Sequence, residues 1–198
     1  MIQVDITSKS FAGTQILGPI RFDVAAGETV AIVGPSGIGK STLLRIVSGI
    51  DPDFEGRVTV PKSIAFVFQE PTLLPWRSAL DNLILIHPNL TRAAAETALD
   101  RVGLSDKAGL FPGQLSLGQQ RRLSLARAFA GEPDLLILDE PFASLDADTS
   151  QAMLALTESL IAQQRPATLL VTHDMKEAQR LAESILTLTG SRNGARVF

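Results

Sequence analysis

The sequence predicts an α/β fold: a mostly parallel sheet, an antiparallel β region at the N-terminus and an inserted helical lobe. Three patterns point to it. The N-terminal residues alternate apolar and polar side chains, as strands with one covered face do. The nearly all-apolar run at 134–139 is expected of a strand covered on both faces, and with the strands at 168–172 and 185–189 it alternates with stretches that read as helices. Between these regions, residues 71–130 carry Leu and Ala at helical spacing.

The totals agree with one globular domain carrying an inserted lobe. The chain has 198 residues, 45% of them hydrophobic and 20% charged, which is ordinary globular composition. A net charge of −3 gives no reason to expect nucleic acid or an anionic membrane surface as a partner. With no cysteine, disulfides and thiolate metal sites are excluded. The N-terminus lacks the apolar run of a secretory signal, and no apolar stretch reaches the roughly 20 residues that span a bilayer. A soluble, intracellular protein is expected.

Taken in order, residues 2–7, 16–24 and 29–33 read as strands, with Gly27 marking the last turn. A helix follows over 40–48, stopped by Gly49 and then Asp51-Pro52. Residues 56–60 and 63–68 are further short strands. In the lobe, helices start at Ser78 and Thr91, and a longer one covers 117–130. The strand at 134–139 is followed by a helix over 148–164, a strand at 168–172, a helix over 175–182 and a strand at 185–189. The tail, 191–198, has no core-forming pattern. These elements divide the chain into a core of 1–70 and 131–198 and a helical subdomain of about 71–130.

The segment Gly34-Pro35-Ser36-Gly37-Ile38-Gly39-Lys40-Ser41-Thr42 fits G-x-x-x-x-G-K-[ST] between a predicted strand and a predicted helix. Glycines let the loop close round phosphate oxygens, and its N–H groups and the helix dipole favour an anion. Lys40 supplies a point charge to the outer phosphates, and the Ser41 hydroxyl can ligate Mg²⁺. This makes the core a P-loop NTPase core. At the end of the strand 135–138, Asp139 is placed to hold hydrated Mg²⁺, and Glu140 to orient and deprotonate a water for attack on a γ-phosphate. Gln69 and His173 each follow a strand and are suited to sensing that phosphate or its water. His87 has no such context and reads as structural.

Residues 112–122, PGQLSLGQQRR, form a second candidate anion cradle. Ser116 and Gln119 have capping-box spacing, with Ser116 as N-cap of the helix that follows.

Together these residues resemble the ATP-binding subunit of an ABC transporter, over essentially the whole chain. Residues 34–42 are similar to the family's Walker A, Gln69 to its Q-loop and Leu115-Ser116-Leu117-Gly118-Gln119 to its signature. Residues 135–140 are similar to Walker B, Ser144-Leu145-Asp146 to the D-loop and His173 to the switch histidine. Phe11 matches the aromatic that stacks on adenine.

The resemblance implies a homodimer in which each ATP is gripped by one subunit's phosphate loop and the other's signature. Ser116, Gly118, Gln119 and Asp146 would then contribute to the nucleotide site. Ser41, Gln69 and Asp139 would hold Mg²⁺, while Glu140, His173, Gln69 and Lys40 would act in hydrolysis. One residue departs from the pattern: Leu117 stands where the family usually has glycine. As the first helical residue it needs only a negative φ, so the backbone donors survive and ATP-driven pairing is expected to persist.

A small nucleotide subunit of this kind looks like those of bacterial importers, cytoplasmic and peripheral on the inner face of the membrane. Its partners would be an integral-membrane permease and, indirectly, a solute-binding protein, with no nucleic acid. Residues 69–82 are similar to the corresponding segment of subunits importing nitrate, sulfonates, taurine or thiamine-type precursors. In the family that segment faces the permease, so an exposed Trp76 and Leu73-Leu74 would be partner-binding surface here, the alternative being that Trp76 packs inside the lobe. Arg121, Arg122 and Arg127 read as a solvated or interface helix face. A soluble ABC-type ATPase of DNA or ribosome metabolism is the alternative, and would need the tandem domains, coiled coil or basic arms absent here. A P-loop kinase or GTPase would have no use for the signature.

Overall fold

Two compact units form, each built from separate stretches of chain. The first comprises Met1–Ile64, Asp134–Glu140 and Arg165–Phe198, and the second Ala65–Pro133 and Pro141–Gln164. The computed structural model describes residues 1–191 and 194–197.

In the first unit, β1 (Ile2–Phe11) buries every second side chain as far as Ile6, so Ile2, Val4 and Ile6 line the core. It pairs antiparallel with β2 (Thr14–Leu17), β3 (Ile20–Val24) and β5 (Glu55–Thr59). The strand expected over 16–24 is broken into β2 and β3 at Gly18-Pro19, because proline cannot donate to a ladder. β1 also runs past the expected end at residue 7. Its Lys9 is 4% exposed but places Nζ 2.8 Å from Asp51 Oδ1, so the polar side chain is satisfied inside the fold.

Strands β4 (Thr29–Val33), β7 (Leu135–Asp139), β8 (Ala167–Thr172) and β9 (Ser184–Ser191) make the parallel part, in the order β9, β4, β8, β7. β4 and β8 are buried along their whole length, as their apolar composition requires. Helix α1 (Lys40–Val47) lies against β5 and β7, and α6 (Met175–Leu181) against β4 and β8. The tail corrects the sequence reading. β10 (Gly194–Val197) pairs antiparallel with β9 and joins β2 in parallel through Ala195, which is buried. Arg192, Asn193 and Phe198 of that tail lie outside the described residues.

The second unit includes most of β6 (Ile64–Val67) and the helices α2 (Ala79–Ile84), α3 (Arg92–Arg101), α4 (Leu117–Phe129) and α5 (Ala147–Gln164). The helix starts fall where capping chemistry puts them: Ser78 accepts from the Asp81 N–H and Thr91 from the Ala94 N–H. α4 is the hub, packing on α2, α3 and α5. This explains a second correction. The face expected to be solvated or to form an interface is internal at Arg121 and Arg127, which are buried because α4 has neighbours around it and donate to main-chain carbonyls, while Arg122 is half-buried. His87 is structural as expected: its Nε2 meets the Arg127 carbonyl at 2.7 Å.

Asn82 is fully buried and organises the turn before α2. Its Oδ1 accepts from the Leu74 N–H at 2.8 Å, while Nδ2 donates to the carbonyls of Leu74, Arg77 and Ser78. That turn carries Trp76, which is 67% exposed, so the indole does not pack inside the lobe. Among the described residues no helix is long and apolar enough to cross a membrane.

Asn82→Ala removes the partner of the half-buried Leu74 N–H and of the Arg77 carbonyl, and is expected to lower the unfolding free energy by about 1–3 kcal/mol in urea denaturation.

Candidate nucleotide site

The first unit gathers the phosphate loop, Asp139, Glu140, His173 and Phe11. The loop leaves the carboxyl end of β4 at Gly34 and enters α1 at Lys40. Two glycines are required by their surroundings. A Cβ on Gly34 would come 2.7 Å from the Leu188 carbonyl oxygen of β9. Gly39 has φ 114°, and a Cβ there would lie 2.7 Å from a methyl of Leu17. Ser41 and Thr42 follow in the first turn of α1, with Ser41 exposed and Thr42 half-buried. Pro35, Ser36 and Gly37 are exposed and Ile38 half-buried, so the outer arc of the loop is open to an anion.

Lys40 is 5% exposed, and its Nζ donates to the carbonyls of Gly34 at 2.8 Å and Pro35 at 3.1 Å. The same Nζ lies 3.5 Å from Glu140 Oε1. The other oxygen of Glu140, Oε2, is 3.1 Å from His173 Nδ1. A carboxylate therefore sits between a buried ammonium and an exposed imidazole. Glu140 reaches that place through a backbone turn at φ 45°, held by its N–H donating to the Val171 carbonyl at 2.9 Å. The residues on either side of His173 are tied down. The Thr172 hydroxyl donates to Glu177 and accepts from the Asp174 N–H at 3.0 Å, and Asp174 caps α6. Burial raises the Glu177 carboxyl above its usual range, against the hydrogen bond from Thr172.

Asp139, half-buried at the end of β7, is raised by burial and next by the charge of Glu140. A hydrogen bond from the Ser41 hydroxyl and the charge of Lys40 act the other way. Phe11, at the end of β1, is 74% exposed and offers a free ring face.

The second unit holds the remaining candidates. Gln69 is exposed just after β6. Ser116 caps α4 by the expected reciprocal box: its N–H donates to Gln119 Oε1 at 2.9 Å and its Oγ accepts from the Gln119 N–H at 3.3 Å. The Ser116 hydroxyl proton stays free to donate outward. Leu117 is the first residue of α4, exposed, and is not among the residues with positive φ. Gly118 has the packing constraint that position 117 lacks, because a Cβ on it would lie 3.1 Å from Thr149 Cγ2. Asp146 accepts from the Thr149 N–H at 2.9 Å at the start of α5, and this hydrogen bonding holds its carboxyl below the usual range. The sequence reading missed Thr149 and Leu17, which press on the signature turn and the phosphate loop and carry no short-range signal.

The family model described as ABC transporter matches residues 17–143. The chain belongs to the ABC transporter family. Its curated relatives include the aliphatic sulfonates import ATP-binding protein SsuB 3 of Nocardia farcinica, 48% identical over 192 residues, covering 96% of this chain and 78% of the relative. An SsuB of a Mycobacterium species is 48% identical over 191 residues, covering 93% and 78%. Among solved structures, the ATP-binding cassette MJ0796 in a dimeric post-hydrolysis state with ADP and Pi superposes with a TM-score of 0.83. It is 29% identical and covers all of this chain and 96% of that one. As an ABC cassette, the chain is an ATPase.

Gly39→Ala combines a left-handed φ with the Leu17 contact. It is expected to weaken ATP binding by about tenfold or more in calorimetric titration, with the folded circular dichroism spectrum retained.

Proposed function

We propose that the chain is the ATP-binding and ATP-hydrolysing subunit of an importer, pairing with a second copy on Mg·ATP to drive uptake through a separate membrane permease. The observation that carries this reading is the position of Glu140 between the Lys40 ammonium and the His173 ring, at the mouth of the phosphate loop.

In this reading the loop N–H groups and Lys40 bind the phosphates, and Phe11 stacks on the base. Glu140 accepts a proton from the attacking water, while Lys40 and His173 meet the charge that develops on the γ-phosphoryl oxygens. The Ser41 hydroxyl and the Asp139 carboxylate fit Mg²⁺: both are hard oxygen donors, and a half-buried carboxylate raised by burial is favoured by a cation. Among the described residues no group of three or more His, Asp or Glu could hold a metal. Such a pair suits an ion that keeps waters and phosphate oxygens in its shell, with Gln69 proposed as a further donor. When bound, Mg²⁺ neutralises charge on the β- and γ-oxygens.

The capped start of α4 supports a role for Ser116, Gly118 and Gln119 on the partner copy's γ-phosphate, with Asp146 in the second segment of the same unit. The exposed Trp76, held out by the Asn82 turn, fits a permease-facing surface on the inner side of the membrane. The relatives' names make an aliphatic sulfonate, delivered by a solute-binding protein, the cargo to test first. The alternative of a soluble ATPase acting on DNA or ribosomes gains no support from these relatives.

Glu140→Gln is expected to keep ATP affinity while turnover falls by about 10²–10⁴-fold; near-parental hydrolysis would remove Glu140 as the base. In that background Leu117→Gly should change ATP-induced dimerisation, read by light scattering, by less than about threefold, since the helix start already has ordinary dihedrals.

A further inference from the structure

Arg121 and Arg127 are buried in the second unit, and among the described residues neither lies within ion-pair distance of a carboxylate. Their charge is met by main-chain oxygens and one hydroxyl. Arg121 Nη1 donates to the Pro141 carbonyl at 2.7 Å and Nη2 to that of Ala143 at 2.6 Å. Arg127 Nη1 donates to the Thr72 carbonyl at 2.9 Å, and Nη2 to the Pro71 carbonyl and Thr72 Oγ1, both at 3.1 Å.

A buried cation with no counter-ion is unfavourable, and an apolar side chain of like volume would fill the space without that penalty. A guanidinium fork does what an apolar chain cannot: it fixes two carbonyls at a set separation. The segments so held adjoin the proposed chemistry. Pro71 and Thr72 come just after Gln69, and Thr72 is at φ 44°, where a β-branched residue is strained unless its surroundings hold it. Pro141 follows Glu140 directly, and Ser144, at φ 61°, follows Ala143. Both arginines belong to α4, whose capped start is Ser116. They stand five and eleven residues beyond that cap, about 8 and 16 Å along a stiff helix at a rise of 1.5 Å per residue.

We propose that Arg121 and Arg127 are positioning residues for ATP hydrolysis, tying the segments that follow Glu140 and Gln69 to the Ser116–Gln119 turn through the body of α4. Neither touches the nucleotide. The proposal rests on the roles given to Gln69, Glu140 and the signature turn under Proposed function. It separates two quantities: the phosphate loop keeps its affinity for ATP, while turnover depends on where the tied segments stand.

The test compares full-length Arg127→Lys, Arg121→Lys and Thr72→Gly with the parent. A fluorescent ATP analogue gives the dissociation constant, steady-state hydrolysis gives kcat and KM, and thermal melting gives the midpoint. Thr72→Gly removes the hydroxyl held by Arg127 Nη2 and the side chain that pins the turn, without burying or exposing a charge, and glycine adopts φ 44° without strain. It is expected to melt within a few degrees of the parent and to bind the analogue within about threefold, while kcat falls about tenfold. The lysine variants should show the same split, since one ammonium cannot span both carbonyls.

Parental kcat in Thr72→Gly would overturn the proposal. So would arginine variants whose kcat falls only in step with ATP affinity and melting midpoint. If the arginine variants do not fold, Thr72→Gly decides alone. A parent that binds ATP without hydrolysing it would overturn the functional reading beneath the proposal, and the proposal with it.

Discussion

One buried ammonium organises the candidate phosphate site. Lys40 begins α1, is almost wholly removed from solvent, and is shared by two loop carbonyls and a carboxylate. A lysine buried in this way needs acceptors or counter-charges around it, and two loop carbonyls and the Glu140 carboxylate supply them where phosphate oxygens are proposed to bind. The glycines on either side follow from the same constraint. The loop must pass within contact distance of β9 and of Leu17 to bring its N–H groups round, and no side chain fits at Gly34 or Gly39. Glu140 then acquires its environment from Lys40 on one side and His173 on the other.

The second cradle obeys a different rule. A capping box orders the first turn of α4 whatever side chain follows the cap: the Gln119 N–H is taken by Ser116 Oγ, and the N–H groups of Leu117 and Gly118 have no acceptor within the helix. That is why leucine at position 117 is compatible with the helix start, while Gly118 is constrained by Thr149. Arg121 and Arg127 carry the same helix into the segments after Glu140 and Gln69, so one element joins a cap, two strained turns and two buried charges.

Much of this was legible because it is local. Glycine, lysine and serine spacing identifies the phosphate loop, apolar runs identify β4, β7 and β8, and Ser78, Thr91 and Ser116 mark their helices through bonds spanning three residues. What escaped depends on distant partners. Gly194–Val197 has little strand character of its own, and becomes a strand because β9 and β2 offer edges on both sides. Lys9 and the α4 arginines look solvated by composition, and are buried because Asp51 and backbone carbonyls far along the chain receive them. The break between β2 and β3 had a signal, Gly18-Pro19, which the alternating pattern around it masked.

The central claim is that this loop and its ammonium bind a nucleotide by its phosphates. Calorimetric titration of the parent and of Lys40→Met with ATP, ADP, AMP and adenosine tests it most directly. The account predicts that affinity rises with phosphate count, that adenosine binds weakly, and that the methionine variant loses about a hundredfold for ATP and little for adenosine. AMP binding as tightly as ATP, or a methionine variant that holds ATP like the parent, would contradict it.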